Sequence, residues 1–295
     1  MKISGFTLVR NGCKFDYPFI ESIRSMLTLV DELIVNVGIG DDETLKNLQH
    51  FAKTEGQGKI SWFESVWPLD DPEKKKGGLI LSEQTNLALD RCTGDWCIYL
   101  QADEVLHETD LGALRRHLHA ADSRPEVEGL LLEYLHFYGS FDVVQKTRSA
   151  YRREVRVIRR SSGARSVGDA QSFRKGDGSK LQVLSSPARV FHYGWVRSPE
   201  AMKEKTYFFD QLYHGSEGLH TGDNYRYKRF WGLTRFDGDH PKVMRERIRS
   251  KNWKWDLEHS PLEWNVSDFK KVALDLVERA TGYRLFEYRS YRLIE

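Results

Sequence analysis

The feature that most constrains this chain is the alternation in its first hundred residues. Short, nearly continuous apolar runs at Ile3–Val9, Glu32–Val37 (ELIVNV), Lys59–Phe63 and Asp95–Leu100 read as strands, and each gap between them carries a helical pattern. From Pro18 to Leu29 the apolar residues Phe19, Ile23, Met26 and Leu27 recur at helical spacing, with Pro18 suited to a first turn. Asp41-Asp42-Glu43 favours the start of a second helix through Leu45, Leu48 and Ala52, and Leu79–Cys92 reads as a third. Strands this apolar, joined by helices, predict a parallel sheet covered on both faces. Ligands of such sheets bind beyond the carboxyl ends of the strands. Three polar strand tips fall there: Arg10-Asn11, Asn36 through Asp42, and Gln101–Glu104.

The second half is less regular. Gly129–Tyr138, Glu154–Arg160, Leu181–Val183 and Ala188–Tyr193 read as strands, Ser161–Ser179 as loops, and Pro199–Tyr213 and Ser267–Ala280 as helices. Strands give way to helical, basic-aromatic sequence near residue 195, which suggests a division into 1–195 and 196–295. A chain of 295 residues is long enough for one large α/β domain with an appendage. Lys and Arg number 45 against 43 Asp and Glu, so net charge implies neither a nucleic-acid nor a membrane partner. Three scattered cysteines show no disulfide framework and no zinc spacing. With no leader pattern and no run of about 20 apolar residues, a cytoplasmic protein is expected.

The segment GDWCIYLQADEVLHE, residues 94–108, runs from a turn glycine through an apolar strand into adjacent carboxylates, Asp103 and Glu104. Such a pair is either a solvated edge or helix cap, or a place where a hard cation is held by one or two carboxylates plus substrate phosphates.

With TLVRNG after the first strand, DELIVNVGIGDDET at the second and SEQTNLALDRCTGDW before CIYLQADEVL, the chain resembles the GT-A-fold glycosyltransferases of family 2, bacterial type. The blocks cover residues 1–110 best and extend less surely to about 195. The resemblance implies a Rossmann-like, mostly parallel central sheet flanked by helices, here with a helical, aromatic-rich C-terminal extension. It implies transfer of a sugar from a nucleotide diphosphate sugar donor to a saccharide or other hydroxyl-bearing acceptor, with inversion, assisted by Mn2+ or Mg2+. Two departures stand out. Gln101 replaces the first acidic residue of the DADE-like motif, and Asn36 through Asp42 lacks the early Asp pair. Gln101 can hydrogen-bond a ribose hydroxyl but is no anionic ligand, so metal binding rests on Asp103.

The same resemblance makes His192 in ARVFHYGWVRS the second metal ligand; on its own it is equally a strand-edge histidine. It places the nucleotide against Val9, Arg10, Asn11, Asn36, Gly38, Gln84, Gln101 and Ala102, with Asn86 as the alternative to Gln84. Its catalytic base would be a downstream carboxylate: Asp169 in SVGDAQSFRKGDG, with Glu133 in reserve, although a loop Asp also simply makes turns. Lys74-Lys75-Lys76, or Lys203 and Lys205, are either diphosphate clamps or solvated charge. Trp195, Trp231, Trp253, Trp255 and Trp264 fit saccharide stacking or core packing alike. The competing readings are a nucleotidyltransferase, a non-catalytic nucleotide-binding protein, and a single-strand nucleic-acid binder using YRYKRFWGLTRF at 225–236.

Overall fold

The computed structural model describes residues 1–214 and 225–295, without the side chains of Lys75, Lys76, His214, Ser267 and Arg279. The first half contains β1 (Ile3–Val9), α1 (Phe19–Met26), β2 (Glu32–Gly38), α2 (Thr44–Thr54), β3 (Ile60–Ser65), α3 (Pro72–Lys75), α4 (Leu79–Leu89) and β4 (Trp96–Tyr99). There follow β5 (Glu104–Leu106), α5 (Leu111–Asp122), β6 (Gly129–Tyr138), β7 (Ser140–Gln145) and β8 (Arg153–Arg159). The remainder is β9 (Ala164–Val167), β10 (Ser172–Lys175), β11 (Gln182–Trp195), α6 (Pro199–His214), β12 (Leu233–Arg235), α7 (Arg245–Arg249), α8 (Val266–Thr281) and β13 (Arg292–Leu293).

Strands β3-β2-β1-β4 lie side by side and parallel, as the alternation predicts. The chain builds β2 and β3 to one side of β1, then crosses to lay β4 on the other. That reversal opens a crevice at the carboxyl ends of β1 and β4. Beyond β4 the sheet is mixed: β8 runs antiparallel to β4, β6 antiparallel to β8, and β11 parallel to β6. The parallel expectation therefore holds for the first four strands and not for the second half.

Alternation along β1 explains the two-sided core. Ile3 and Val9 face Phe19, Ile23 and Met26 of α1 with Leu114 and Leu118 of α5, while Phe6 and Leu8 face Ile80 and Leu89 of α4 with Phe173 of β10. At about 25 cal/mol per Å2 of apolar surface removed from water, each such buried side chain contributes about 1.5–3 kcal/mol.

Two sequence expectations need correction. Ser161–Ser179 is not loop alone, because β9 and β10 pair as a hairpin. Leu181–Val183 and Ala188–Tyr193 belong to one strand, β11, whose register shifts between Ser185 and Arg189 mimic a break. The 196–295 segment supplies helices α6 and α8 but also β12 and β13, both joined to the main sheet. No helix among the described residues is long and apolar enough to cross a membrane.

Candidate active site

The chain after β4 turns sharply through Gln101–Glu104. Glu104 makes that turn: its carboxylate accepts the Gln101 backbone N–H at 3.0 Å, the Tyr134 hydroxyl at 2.8 Å, and Nε and one terminal nitrogen of Arg156 at 2.9 and 2.8 Å. Glu104 and Arg156 are both fully buried. A buried charge survives only when paired and hydrogen-bonded, and here both oxygens are used. Glu104 is thus the hinge of the turn, and Asp103 is left to project into the crevice.

Asp103 is buried as well and meets three cationic or basic groups. Lys205 Nζ on α6 lies 3.2 Å from Oδ2, Arg197 lies 3.7 Å from Oδ2, and His192 Nε2 lies 3.7 Å from Oδ1. Burial would raise the Asp103 carboxyl, but the facing cations, Lys205 foremost, bring it down to about 2. Burial, aided by Arg197, lowers the Lys205 ammonium to about 8 against the opposing pull of Asp103. Arg197 is fully buried, lies with its guanidinium carbon 4.7 Å from the Tyr17 ring centre, and donates to the Phe15 carbonyl at 2.6 Å.

Asp103, His192, Lys205 and Tyr17 line a cavity of about 360 Å3, within the usual size range of small-ligand sites, with Arg197 buried behind them. Its floor is Leu8, Val9 and Arg10 from the end of β1 with Gln101, Ala102 and Asp103 after β4; its lid is α6, with Met202, Lys205, Thr206, Phe208 and Phe209. Aromatic contacts dock the lid: Phe208 meets Phe15 at 5.1 Å between ring centres, and the Arg10 guanidinium lies 5.3 Å from the Phe208 ring. Trp67, Tyr99 and Tyr213 complete a largely aromatic wall suited to a flat ring.

The sequence-predicted residues divide. Val9, Arg10, Gln101, Ala102, Asp103, His192 and Lys205 come together around this cavity. Asn36 and Gln84 do not. The Asn36 amide donates to Gln84 Oε1 and to its carbonyl at 3.0 and 2.8 Å, and Ser65 donates to Asn36 Oδ1 at 2.6 Å. Both amides are buried staples between β2 and α4. Asn11 is also occupied, accepting the Asp41 N–H at 3.0 Å and donating to its carboxylate at 2.7 Å. Gly38 matters through space, since a side chain there would strike Trp67 and Arg10. Asn86 holds Ser166 in β9 through two hydrogen bonds of 2.9 and 3.0 Å.

Asp169 does not itself line the cavity but adjoins its edge through Ala170 and Tyr213. Its neighbour Ala170 lines the wall in a left-handed conformation, φ 61°, and Tyr213 is hydrogen-bonded to Asp169. Glu133 lies apart, exposed on β6 in a second cavity beside Arg152 and Arg153. Lys74 is paired with Glu83 at 3.0 Å, Lys203 is exposed, and the side chains of Lys75 and Lys76 lie outside the described residues. Of the tryptophans, Trp195 lines the cavity, whereas Trp253 and Trp255 pack on Phe141 and Tyr138. In the 225–236 segment Tyr227 is buried against Tyr138, so its ring offers no stacking surface. Arg197, Tyr17, Trp67 and His136 were not singled out from sequence; only the nearness of Arg197 to HYGW gave any signal.

The Asp103–His192 pair suits a cation. A side chain at Gly194 would come within 2.5 Å of His192 Nε2 and 3.3 Å of Asp103 Oδ2, so the missing Cβ leaves a notch between the two. One carboxylate and one imidazole fit an ion that shares its remaining positions with a bound diphosphate. Among the described residues no group of three or more His, Cys, Asp or Glu is clustered for a metal ion, so protein atoms alone would leave it undercoordinated.

No protein-family model matches the chain, and no curated protein matches it. Among solved structures it is similar to TarS of S. aureus, at 13% identity over 71% of this chain and 39% of that one, with a TM-score of 0.38. TarS 1–349 in complex with UDP-GlcNAc is similar at 12% identity over 72% and 66% of the two chains, TM-score 0.39. GalNAc-T7 with UDP, GalNAc and Mn2+ is similar at 12% identity over 72% and 48%, TM-score 0.43. This chain spans 39% of the length of the first of these. Likeness at this level leaves the functional reading to the site's own geometry.

Proposed function

We propose that the chain transfers a sugar from a nucleoside diphosphate sugar to an acceptor hydroxyl. The observation that carries this reading is Asp103: an anion at the crevice between β1 and β4, held between Lys205, Arg197 and His192 inside an aromatic-walled cavity. The sequence resemblance stated above gives the reaction class.

In this reading the base stacks among Trp67, Phe208 and Tyr213, and the diphosphate lies toward Arg10 and Lys205. As the anomeric carbon–oxygen bond breaks, its electron pair passes to the diphosphate oxygen, and Lys205 lies close enough to Asp103 to stabilise the new charge. Asp103 Oδ1 and His192 Nε2 would hold Mn2+ or Mg2+, which when bound supplies further positive charge to the diphosphate. The acceptor oxygen bonds to the anomeric carbon from the opposite face, and its proton passes to a carboxylate. Asp169, at the cavity's edge, is that base. Attack from the opposite face inverts the configuration.

A panel of nucleotide sugars incubated with the chain and simple saccharide acceptors, with Mn2+ present, tests this. Release of nucleoside diphosphate from one donor, seen by mass spectrometry, is the expected outcome. Release of pyrophosphate from a nucleoside triphosphate instead would make the chain a nucleotidyltransferase, and binding without any release would make it a non-catalytic nucleotide-binding protein.

A further inference from the structure

His136 on β6 and His192 on β11 are register partners on parallel strands. Their rings stand 5.0 Å apart at 89°, with Nδ1 facing Nδ1 at 2.9 Å. On its far side His136 Nε2 lies 2.7 Å from the Tyr151 carbonyl oxygen.

These contacts fix the protons. A carbonyl oxygen can only accept, so His136 Nε2 carries a hydrogen. A neutral imidazole with hydrogen on Nε2 has its lone pair on Nδ1. The hydrogen in the 2.9 Å contact therefore belongs to His192 Nδ1. A second proton on His136 would bury a charge whose hydrogen-bond partners, the His192 ring and the Tyr151 carbonyl, offer no negative charge to match it. With Nδ1 engaged by His136, an uncharged His192 ring turns the electron pair of Nε2 toward Asp103 Oδ1 at 3.7 Å. Two acceptors facing each other with no hydrogen between them are a site for a cation.

We propose that His136 is a positioning residue: by handing on the direction of the Tyr151 carbonyl, it locks His192 in the Nδ1–H tautomer and keeps Nε2 as a donor atom toward a divalent cation. A hydrogen bond from the outer ring nitrogen orients a ligating imidazole and raises its basicity. His136 is itself held, stacked on Tyr134 at 5.3 Å and 24° and set edge-on to Tyr151 at 4.6 Å and 87°. The use of Nε2 rests on the function proposed above; the tautomer does not.

The test reads the tautomer directly, by two-bond proton–nitrogen correlation on the full chain labelled with 15N-histidine. In the wild type His192 is expected with Nδ1 protonated and Nε2 bare. His136→Phe keeps an aromatic ring but removes the acceptor. It should release His192 into a tautomer mixture and weaken Mn2+ binding, followed by electron paramagnetic resonance with UDP present, by ~10–100-fold. His136→Gln, whose amide can accept from His192 and donate to Tyr151, should restore both. A wild-type spectrum with the hydrogen on His192 Nε2 overturns the proposal without any variant. So does a His136→Phe protein that folds with tautomer and Mn2+ affinity unchanged, or a wild type that takes up neither Mn2+ nor Mg2+ with UDP. Failure to consume any nucleotide sugar, with the expected tautomer and Mn2+ uptake both seen, would count against the transferase reading alone.

Discussion

Lys205 Nζ donates to Asp103 Oδ2 at 3.2 Å and to the Gly194 carbonyl at 2.8 Å, tying the lid helix α6 to the strand tip that carries the carboxylate. The lysine stem passes Tyr17 and Phe209, with the ammonium 5.1 and 5.5 Å from the two ring centres. One cation thus both closes the lid and faces the region assigned to the diphosphate.

Lys205→Met keeps the stem and removes the charge. Charge-assisted hydrogen bonds contribute about 1.5–3 kcal/mol, so affinity for UDP should fall ~10–100-fold. Arg197 remains beside Asp103, so the variant should still fold, with some loss of stability. Calorimetric titration with UDP and a thermal melt check the two parts separately. Unchanged UDP affinity would remove Lys205 from the binding site.

Asp103→Asn preserves shape but not charge, and leaves Lys205 and Arg197 without their shared anion. Transfer should fall ~10³-fold, the scale on which removal of a single charge-stabilising group acts. Mn2+ uptake with UDP should disappear in the same variant. Product release and paramagnetic titration on one preparation test both, and retention of either at wild-type level counts against the site.

For Asp169→Asn the expectation is a split. Donor affinity should stay within about twofold, because Asp169 lies at the edge and not on the cavity floor. Transfer should fall by the ~10²–10⁴-fold that general-base catalysis supplies. Rapid-quench measurement of transfer, set beside calorimetric donor binding, separates the two effects.

Asn36→Ala distinguishes a staple from a nucleotide contact. It strands the Gln84 and Ser65 partners of a buried amide, and each unsatisfied buried group costs about 1–3 kcal/mol. Urea denaturation should show a loss of that order or more, while the folded protein binds UDP as before.

The contrast between Asn36 and Asp103 shows what the sequence could carry. The parallel strands near the N-terminus were legible, because β1, β2 and β4 are buried on both faces and read as apolar runs. The strand tips located the crevice for the same reason. Which polar tip residue faces the cavity was not legible, since Asn36 points to α4 through the side of the pleat it occupies. Nor could the lid be placed. The contact of Lys205 with Asp103 spans about a hundred residues, and His136 meets His192 only through the register of two strands far apart in the chain. β9 and β10 were missed because Gly, Ser and Asp residues dominate a hairpin whose anchor, Asn86, sits on another element.

Glu32 gives the sheet itself a pH signature. At the start of β2 its carboxylate accepts from Ser4 Oγ at 2.5 Å, Lys2 Nζ at 2.9 Å and the Thr93 N–H at 2.6 Å, joining β1, β2 and the turn before β4. Partial burial opposes ionisation, yet these donors bring the carboxyl from 4.5 down to about 2. Between those values the unfolded chain holds more protons at this position than the folded one, so stability rises with pH across the window. The contribution is complete above the unfolded value and is lost as pH falls toward 2. Glu32→Gln should therefore be less stable than the wild type at pH 7, by about 1 kcal/mol once solvent exposure is allowed for. The difference should shrink as both proteins are titrated from pH 5 toward pH 3. Urea denaturation of the two proteins at each pH isolates this group, because every other carboxylate is common to both. A gap that stays constant across the window would mean that the Ser4, Lys2 and Thr93 contacts do not favour the charged form.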